Sequence, residues 1–242
     1  VDATDGASAM GEAEERTERY ASGAVRERYA VRDGRLDGQH VLYAEDGRVI
    51  ETAHFANGLL DGESVGYDAR GGVARRLQYK AGQLDGPALF YEDGRARSRI
   101  QFRLGKQDGE SLSYDEQGRV ASRSTYREGQ LSGEAAWYGP DGSVVKRAHY
   151  RDGKLDGQSV EYYPGGKARE VAPYRDNLLH GEVVRYDLQG RITYRLHYQD
   201  GKPVGEAAEY DEAGQVKPRA GAEGRPRRAG WWARLKARLA GG

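Results

Sequence analysis

After Gly157 the chain alternates, with Gln158, Val160 and Tyr162 on one parity and Ser159 and Glu161 on the other. Alternation at period two predicts a half-buried β-strand, because successive side chains of a strand point to opposite faces. Pro164-Gly165-Gly166 is turn chemistry. The next extended run puts Ala168, Ala172 and Tyr174 on a single parity, and a second turn is expected at Arg175-Asp176-Asn177. These residues predict a β-hairpin whose apolar face collects Val160 and Tyr162 from one strand and Ala168, Ala172 and Tyr174 from the other.

The same hairpin recurs along the chain. Gly38, Gly62, Gly86, Gly109, Gly133, Gly157, Gly181 and Gly205 stand at intervals of 24, 24, 23, 24, 24, 24 and 24 residues. Each is followed five residues later by a tyrosine, from Tyr43 to Tyr210. A fixed period of ~20–50 residues marks a tandem array. An aromatic column, Phe55, Tyr79, Phe102, Tyr126, Tyr150, Tyr174 and Tyr198, is followed three residues later by glycine, with Asn177 the one substitute. Asn tolerates positive φ best among non-glycine residues, so a left-handed turn position is expected there. The single short interval traces to Tyr91-Glu92-Asp93-Gly94, one residue tighter than Tyr43-Ala44-Glu45-Asp46-Gly47. Residues 20–216 are therefore expected to form an all-β, elongated, single-layer antiparallel meander. At ~4.8 Å per strand, about sixteen short strands would span roughly 75 Å.

Composition agrees with a thin structure. Hydrophobic residues make up only 37% of the chain, while 17 tyrosines, most of them held in register, argue against disorder. Without cysteine there is no disulfide framework and no thiolate metal site. No apolar run reaches the ~18 residues of a membrane-spanning helix. The net charge of +0 hides a split: from Lys217 onward eight Lys or Arg face one acid, Glu223, so that stretch is +7 and residues 1–216 are −7.

Four segments follow: an acidic N-terminal segment (1–19, mobile or briefly helical), the array (20–216), a basic flexible linker (217–230) and an amphipathic tail (231–242). On a helix Trp231, Trp232, Leu235 and Leu239 share one face, with Arg234, Lys236 and Arg238 around it. Such a short amphipathic helix either caps the array or lies on a membrane surface. The chain begins at Val1, which places it in a bacterial periplasm if that terminus is processed and in the cytoplasm otherwise.

The stretch Tyr150-Arg-Asp-Gly-Lys-Leu-Asp-Gly-Gln-Ser-Val-Glu-Tyr-Tyr-Pro-Gly-Gly-Lys resembles the variant MORN (membrane occupation and recognition nexus) repeat of bacterial proteins described as YwqK-type toxin–antitoxin antitoxins. The resemblance implies a non-enzymatic β-hairpin array acting as an antitoxin or immunity protein, a protein scaffold, or a phospholipid-contacting protein.

The residues themselves suggest no catalytic chemistry. The chain lacks a G-x-S-x-G elbow, a P-loop, an H-E-x-x-H pair and a G-x-G-x-x-G strand end. His54, His149 and His197 share one column, but repeats separate them by roughly 20–40 Å, too far to share a metal. Frequent Asp-Gly pairs fit hairpin turns rather than calcium loops. No cofactor, metal or nucleic acid is expected. Two surface features point to a protein partner. A column containing Arg76, Arg99, Arg123, Arg147 and Arg195, echoed by Lys80, Arg103, Arg127, Arg151 and Arg175, forms a basic ladder that either pairs with neighbouring acids or grips an acidic partner. Leu42, Phe90 and Trp137 interrupt a column otherwise polar or glycine and are expected on the same polar face as the arginines, where they would be partner anchors. The favoured reading is a toxin-neutralising antitoxin or immunity protein; the alternative is a peripheral membrane scaffold using the tail.

Overall fold

A computed structural model describes residues 12–218, and every regular element in it is a β-strand. Twenty strands, from Glu14–Arg19 to Lys202–Glu209, form one sheet in which every pairing is antiparallel. No pairing joins the first strand to the last, so the sheet is an open meander. Leu59–Leu60, Gln130–Leu131 and Leu178–Leu179 each lead across one residue into the strand that follows. Counted that way the twenty strands become seventeen, and the one beyond expectation is the first. Glu14–Arg19, read from sequence as part of a mobile or helical lead-in, is an edge strand laid along Val25–Arg32. The helix expected over Trp231–Leu239 lies outside the described residues.

Two kinds of turn alternate. At one rim of the sheet the hairpins close on two-residue turns with both central residues at positive φ, such as Asn57 (51°) and Gly58 (83°) or Asp176 (47°) and Asn177 (69°). This is the type I′ geometry, whose twist matches that of the flanking strands. Asn177 does stand in for glycine there. At the other rim, loops such as Ala44–Arg48 are tied by Ala44 N–H to the Arg48 carbonyl and Gly47 N–H to the Ala44 carbonyl. Asp68, Asp115, Asp187 and Asp211 each accept two backbone N–H bonds inside their loops at 2.8–2.9 Å, which is the use these Asp residues have. The short repeat closes instead on a type I′ turn at Asp93 and Gly94.

Leu104 sits at φ 49° in the first turn position, where the equivalents include Asp33, Asn57, Asp152 and Asp200. A large L-residue pays for that conformation, so Leu104→Asn is expected to stabilise the fold by about 1 kcal/mol, read as a higher urea midpoint with unchanged slope.

Consecutive repeats are stitched through these turns. The N–H of Gly58, Gly82, Gly105, Gly129, Gly153, Asn177 and Gly201 donates to a carbonyl of the preceding repeat at 2.7–2.9 Å. The carboxylates of Asp37, Asp61, Asp85 and Asp108 accept the N–H of Asn57, Ala81, Leu104 and Glu128, about twenty residues on. At the opposite rim Arg48, Arg95, Lys167 and Arg191 each reach a carbonyl 21 residues ahead. In the last strand Val204 replaces the aspartate and Pro203 replaces the leucine or glutamine of earlier repeats. Among the described residues this strand is the last of the sheet, and proline blunts its free edge.

The register corrects the expected faces. Tyr162 pairs with Ala168, yet Glu161 pairs with Glu170, so Arg169 is an extra residue that bulges from the second strand. The same one-residue bulge follows the tyrosine of every complete hairpin, for example between Gly66 and Tyr67 or Phe90 and Tyr91. A one-residue slip exchanges the faces of everything beyond it. Val160 therefore lies opposite Val171, while Ala172 lies opposite Ser159 and Tyr174 opposite Gly157. Val160 and Ala172, assigned one face from sequence, occupy two.

One face, the valine face, carries Val41, Val65, Leu89, Leu112, Ala136, Val160 and Val184 with the Arg column across from them. The other, the glycine face, carries the repeat glycines with an aromatic directly opposite each: Phe55, Tyr79, Phe102, Tyr126, Tyr150, Tyr174 or Tyr198. An aromatic ring laid across a glycine supplies the cover that the glycine lacks. A strip of small residues on this face, among them Ser64, Ala88, Ala135, Ala148, Ser159 and Ala172, is under 5% exposed, and Val65, Ala136 and Val184 are buried on the valine face. No large side chain is fully buried among the described residues, as a single layer dictates.

Candidate functional site

The bulge divides the expected partner-binding residues between the two faces. Phe90 pairs with Ser98 and Trp137 with Lys146 on the glycine face, whereas Arg99 lies opposite Leu89, Arg123 opposite Leu112 and Arg147 opposite Ala136 on the valine face. These aromatics and arginines do not form one surface. Leu42 shares the face of Phe90 and Trp137 but sits between Glu27 and Glu51, away from both. Trp231, Trp232, Arg234, Leu235 and Arg238 lie outside the described residues.

Most of the arginine column is engaged. Arg76, Arg123, Arg147 and Arg195 face Glu63, Glu110, Glu134 and Glu182 at 3.0, 2.9, 3.8 and 3.7 Å. Exposed pairs of this kind contribute about 0–1 kcal/mol each and leave little charge free for a partner. Arg99 differs, because Pro87 occupies the position of the glutamate. His54, His149 and His197 lie opposite Gln39, Glu134 and Glu182 in separate hairpins. Among the described residues no group of three or more His, Cys, Asp or Glu is placed to hold a metal ion.

What the register assembles instead is a neutral trough. Reading across the strands, Phe90 is followed by Ser98, Ser113, Ser122 and Trp137, each directly opposite the next. Four strand spacings put the two aromatic residues about 19 Å apart. Ser113 Oγ and Ser122 Oγ lie 2.6 Å from each other. Beside this row run Ala88, Ile100, Ser111, Ser124 and Ala135, with Ala88 at 0% exposure. Arg75 and Lys146 bound the trough, and each faces an acid beyond it: Glu51 at 2.7 Å and Glu161 at 3.6 Å. Phe90 is 37% exposed. The result is an uncharged, small-residue surface walled by two large aromatic side chains. It can bind by shape and apolar contact, and it holds no nucleophile–base pair.

Sequence reading missed Ser98, Ser113 and Ser122 as members of this site. The signal was available in the column Glu51, Arg75, Ser98, Ser122, Lys146 and Glu170, which faces the column of Leu42, Phe90 and Trp137, but only once the bulge is placed.

The charged groups set an acid limit on the sheet. The hydrogen bonds from Arg26 and then His40 hold the Glu27 carboxyl below its usual range. The backbone and side chain of Arg48 do the same for Asp46, and the hydroxyl and backbone N–H of Ser143 for Asp141. Folded values below unfolded ones mean stabilisation that is present above the ordinary carboxylate range and is lost as pH falls through the folded values. Urea midpoints should therefore hold between about pH 7 and 5 and drop between about pH 4 and 3.

No family model matches the chain, and no curated protein matches it. Among solved structures, the Photorhabdus luminescens Tc holotoxin pore is 13% identical over 84% of this chain, with a TM-score of 0.21; this chain spans 14% of that one. A porin-like protein from Bacteroides uniformis is 12% identical over 80% of this chain and 93% of its own, with a TM-score of 0.19. Likeness at this level carries no conclusion about this chain.

Proposed function

We propose that this chain acts by binding rather than by chemistry, as a MORN-variant array that neutralises a toxic protein partner by direct contact. The observation behind this reading is the trough between Phe90 and Trp137. An uncharged patch walled by the exposed Phe90 and the half-buried Trp137, and bounded by ion-paired Arg75 and Lys146, is the kind of surface that anchors protein partners. The regular repeat supplies a long rigid support, and repeat arrays present extended surfaces rather than single catalytic pockets. The antitoxin role itself rests on the family resemblance.

The test is affinity capture with the full chain from its host lysate, followed by expression of each stoichiometric partner alone and with this chain. A partner that arrests growth alone and is harmless in co-expression is the expected result. Rescue should fail with the double variant Phe90→Asp/Trp137→Asp while the urea midpoint stays within about 1 kcal/mol of the parent. Partners that are harmless alone, or rescue that survives the double variant, would overturn the reading.

A further inference from the structure

The rim of type I′ turns carries a second surface. Along it the first turn residue is Asp33, Asn57, Ala81, Leu104, Glu128, Asp152, Asp176 and Asp200 in order. Five of the eight are acidic, and the three that are not stand together. Inside that window Leu104 is 68% exposed and Leu59 51%. Lys80, Arg103 and Lys106 are exposed there and have no hydrogen bond or ion pair among the described residues.

Two departures from the repeat and one unrelieved charge pair coincide at the turn Arg103-Leu104-Gly105-Lys106. First, Leu104 holds a positive φ that Asp or Asn would adopt at less cost. Second, its side chain is the most exposed of the large apolar residues described. Third, Arg103 and Lys106 lie directly opposite each other across the ladder, as Arg32 and Arg35 and Arg151 and Lys154 also do, a like-charge pair that destabilises a sheet unless it is neutralised. In the other two like-charge pairs at least one member meets a carboxylate: Arg32 meets Asp37 at 3.5 Å, Arg151 meets Asp156 at 2.8 Å and Lys154 meets Asp176 at 2.9 Å. Here the nearby carboxylates of Asp85 and Asp108 accept the backbone N–H of Leu104 and Glu128. Local rules broken together, with no structural return, mark a functional position.

We propose that this window binds a short acidic segment of a protein partner, with an apolar side chain of that segment packed on Leu104. Charge complementarity selects the acid, since Lys80, Arg103 and Lys106, three cations without an ion pair among the described residues, stand in two successive hairpins where the rim has no carboxylate at its tips. The flanking tips select a peptide over a membrane. An anionic bilayer is a plane that would meet Asp33, Glu128, Asp152, Asp176 and Asp200 as well, whereas a narrow acidic segment meets only the window.

The inference rests on the reading of this chain as a protein-binding array, and its test uses a peptide so that the two can fail separately. A fluorescein-labelled peptide of Asp and Glu with two leucines is titrated with the full chain and followed by anisotropy, beside the same peptide with Lys for every acid. Only the acidic peptide should bind, more weakly as salt is raised. Arg103→Glu/Lys106→Glu should lose at least tenfold in affinity, whereas Arg123→Glu, on the same face but already paired, should change it less than twofold. Leu104→Asn should bind several-fold more weakly while melting about 2–4 °C higher. Equal binding by the charge-reversed variant, or no binding by the parent, would overturn the proposal. Binding to phosphatidylserine vesicles in preference to the peptide would overturn it in favour of lipid.

Discussion

Gly86→Ala is expected to cost about 3–5 kcal/mol, and Gly133→Ala only about 1–2 kcal/mol, although the two glycines hold the same place in their repeats. The difference is local geometry. Gly86 sits at φ +127°, which L-residues rarely adopt, and an added Cβ would lie 2.9 Å from both Cβ and Cγ of Gln78. Those atoms are the root of the Gln78 side chain, so they move only if the preceding strand moves. Gly133 sits at φ +84° with nothing within 4 Å of an added Cβ, so it is charged for backbone strain alone. In an array each repeat touches only its neighbours, so the Gly86 lesion should also divide the sheet into two units that unfold separately. Urea unfolding followed by tyrosine fluorescence reads both effects: a lower midpoint for each variant, and a broadened or biphasic transition for Gly86→Ala. Equal costs at the two sites would show that the close approach to Gln78 contributes nothing.

The contrast shows which features were legible in the sequence. The meander, its period and both turn types follow from glycine, asparagine and aspartate, because those residues answer to backbone conformation and need no knowledge of neighbours. Asn177 alone reveals a left-handed position. The first strand escaped notice because Glu14–Arg19 carries charge on both parities, and an edge strand with two wet faces has no alternation to show. The faces escaped for a different reason. Arg169, Arg97 and Ala121 hold equivalent bulge positions and share no chemistry, so nothing in the residues marks the extra one. The trough inherits that blindness: Phe90 and Trp137 stood out by size, but the serines between them are recognisable only from the pairing.

Deleting one residue tests whether the bulge is what assigns the faces. The chain already contains a natural deletion: four residues join Tyr91 to its partner Ala96, where five join Tyr114 to Val120, and the bulge beyond is kept. Removing Gln117 leaves Asp115-Glu116-Gly118-Arg119, a loop of the same length and glycine position as Glu92-Asp93-Gly94-Arg95. This should cost about 1 kcal/mol or less, since such loops close on a type I′ turn.

Removing Ala121 takes away the bulge residue itself. Either Ser122, Ser124 and Tyr126 then turn to the valine face while Arg123 and Thr125 enter the glycine face, or Val120 leaves Tyr114 to become the bulge and the loop closes with its glycine misplaced. Both routes bury or strand polar groups next to the Ser113–Ser122 contact and uncover the aromatic that lies across Gly109, at a cost of about 3 kcal/mol or more. The two deletions differ by four positions and by nothing in length or net charge. Comparable urea midpoints for them would mean that loop length rather than the bulge holds the register. A large gap, with the Gln117 deletion close to the parent, would show that a single unpaired residue in each hairpin decides which side chains share the surface of Phe90 and Trp137.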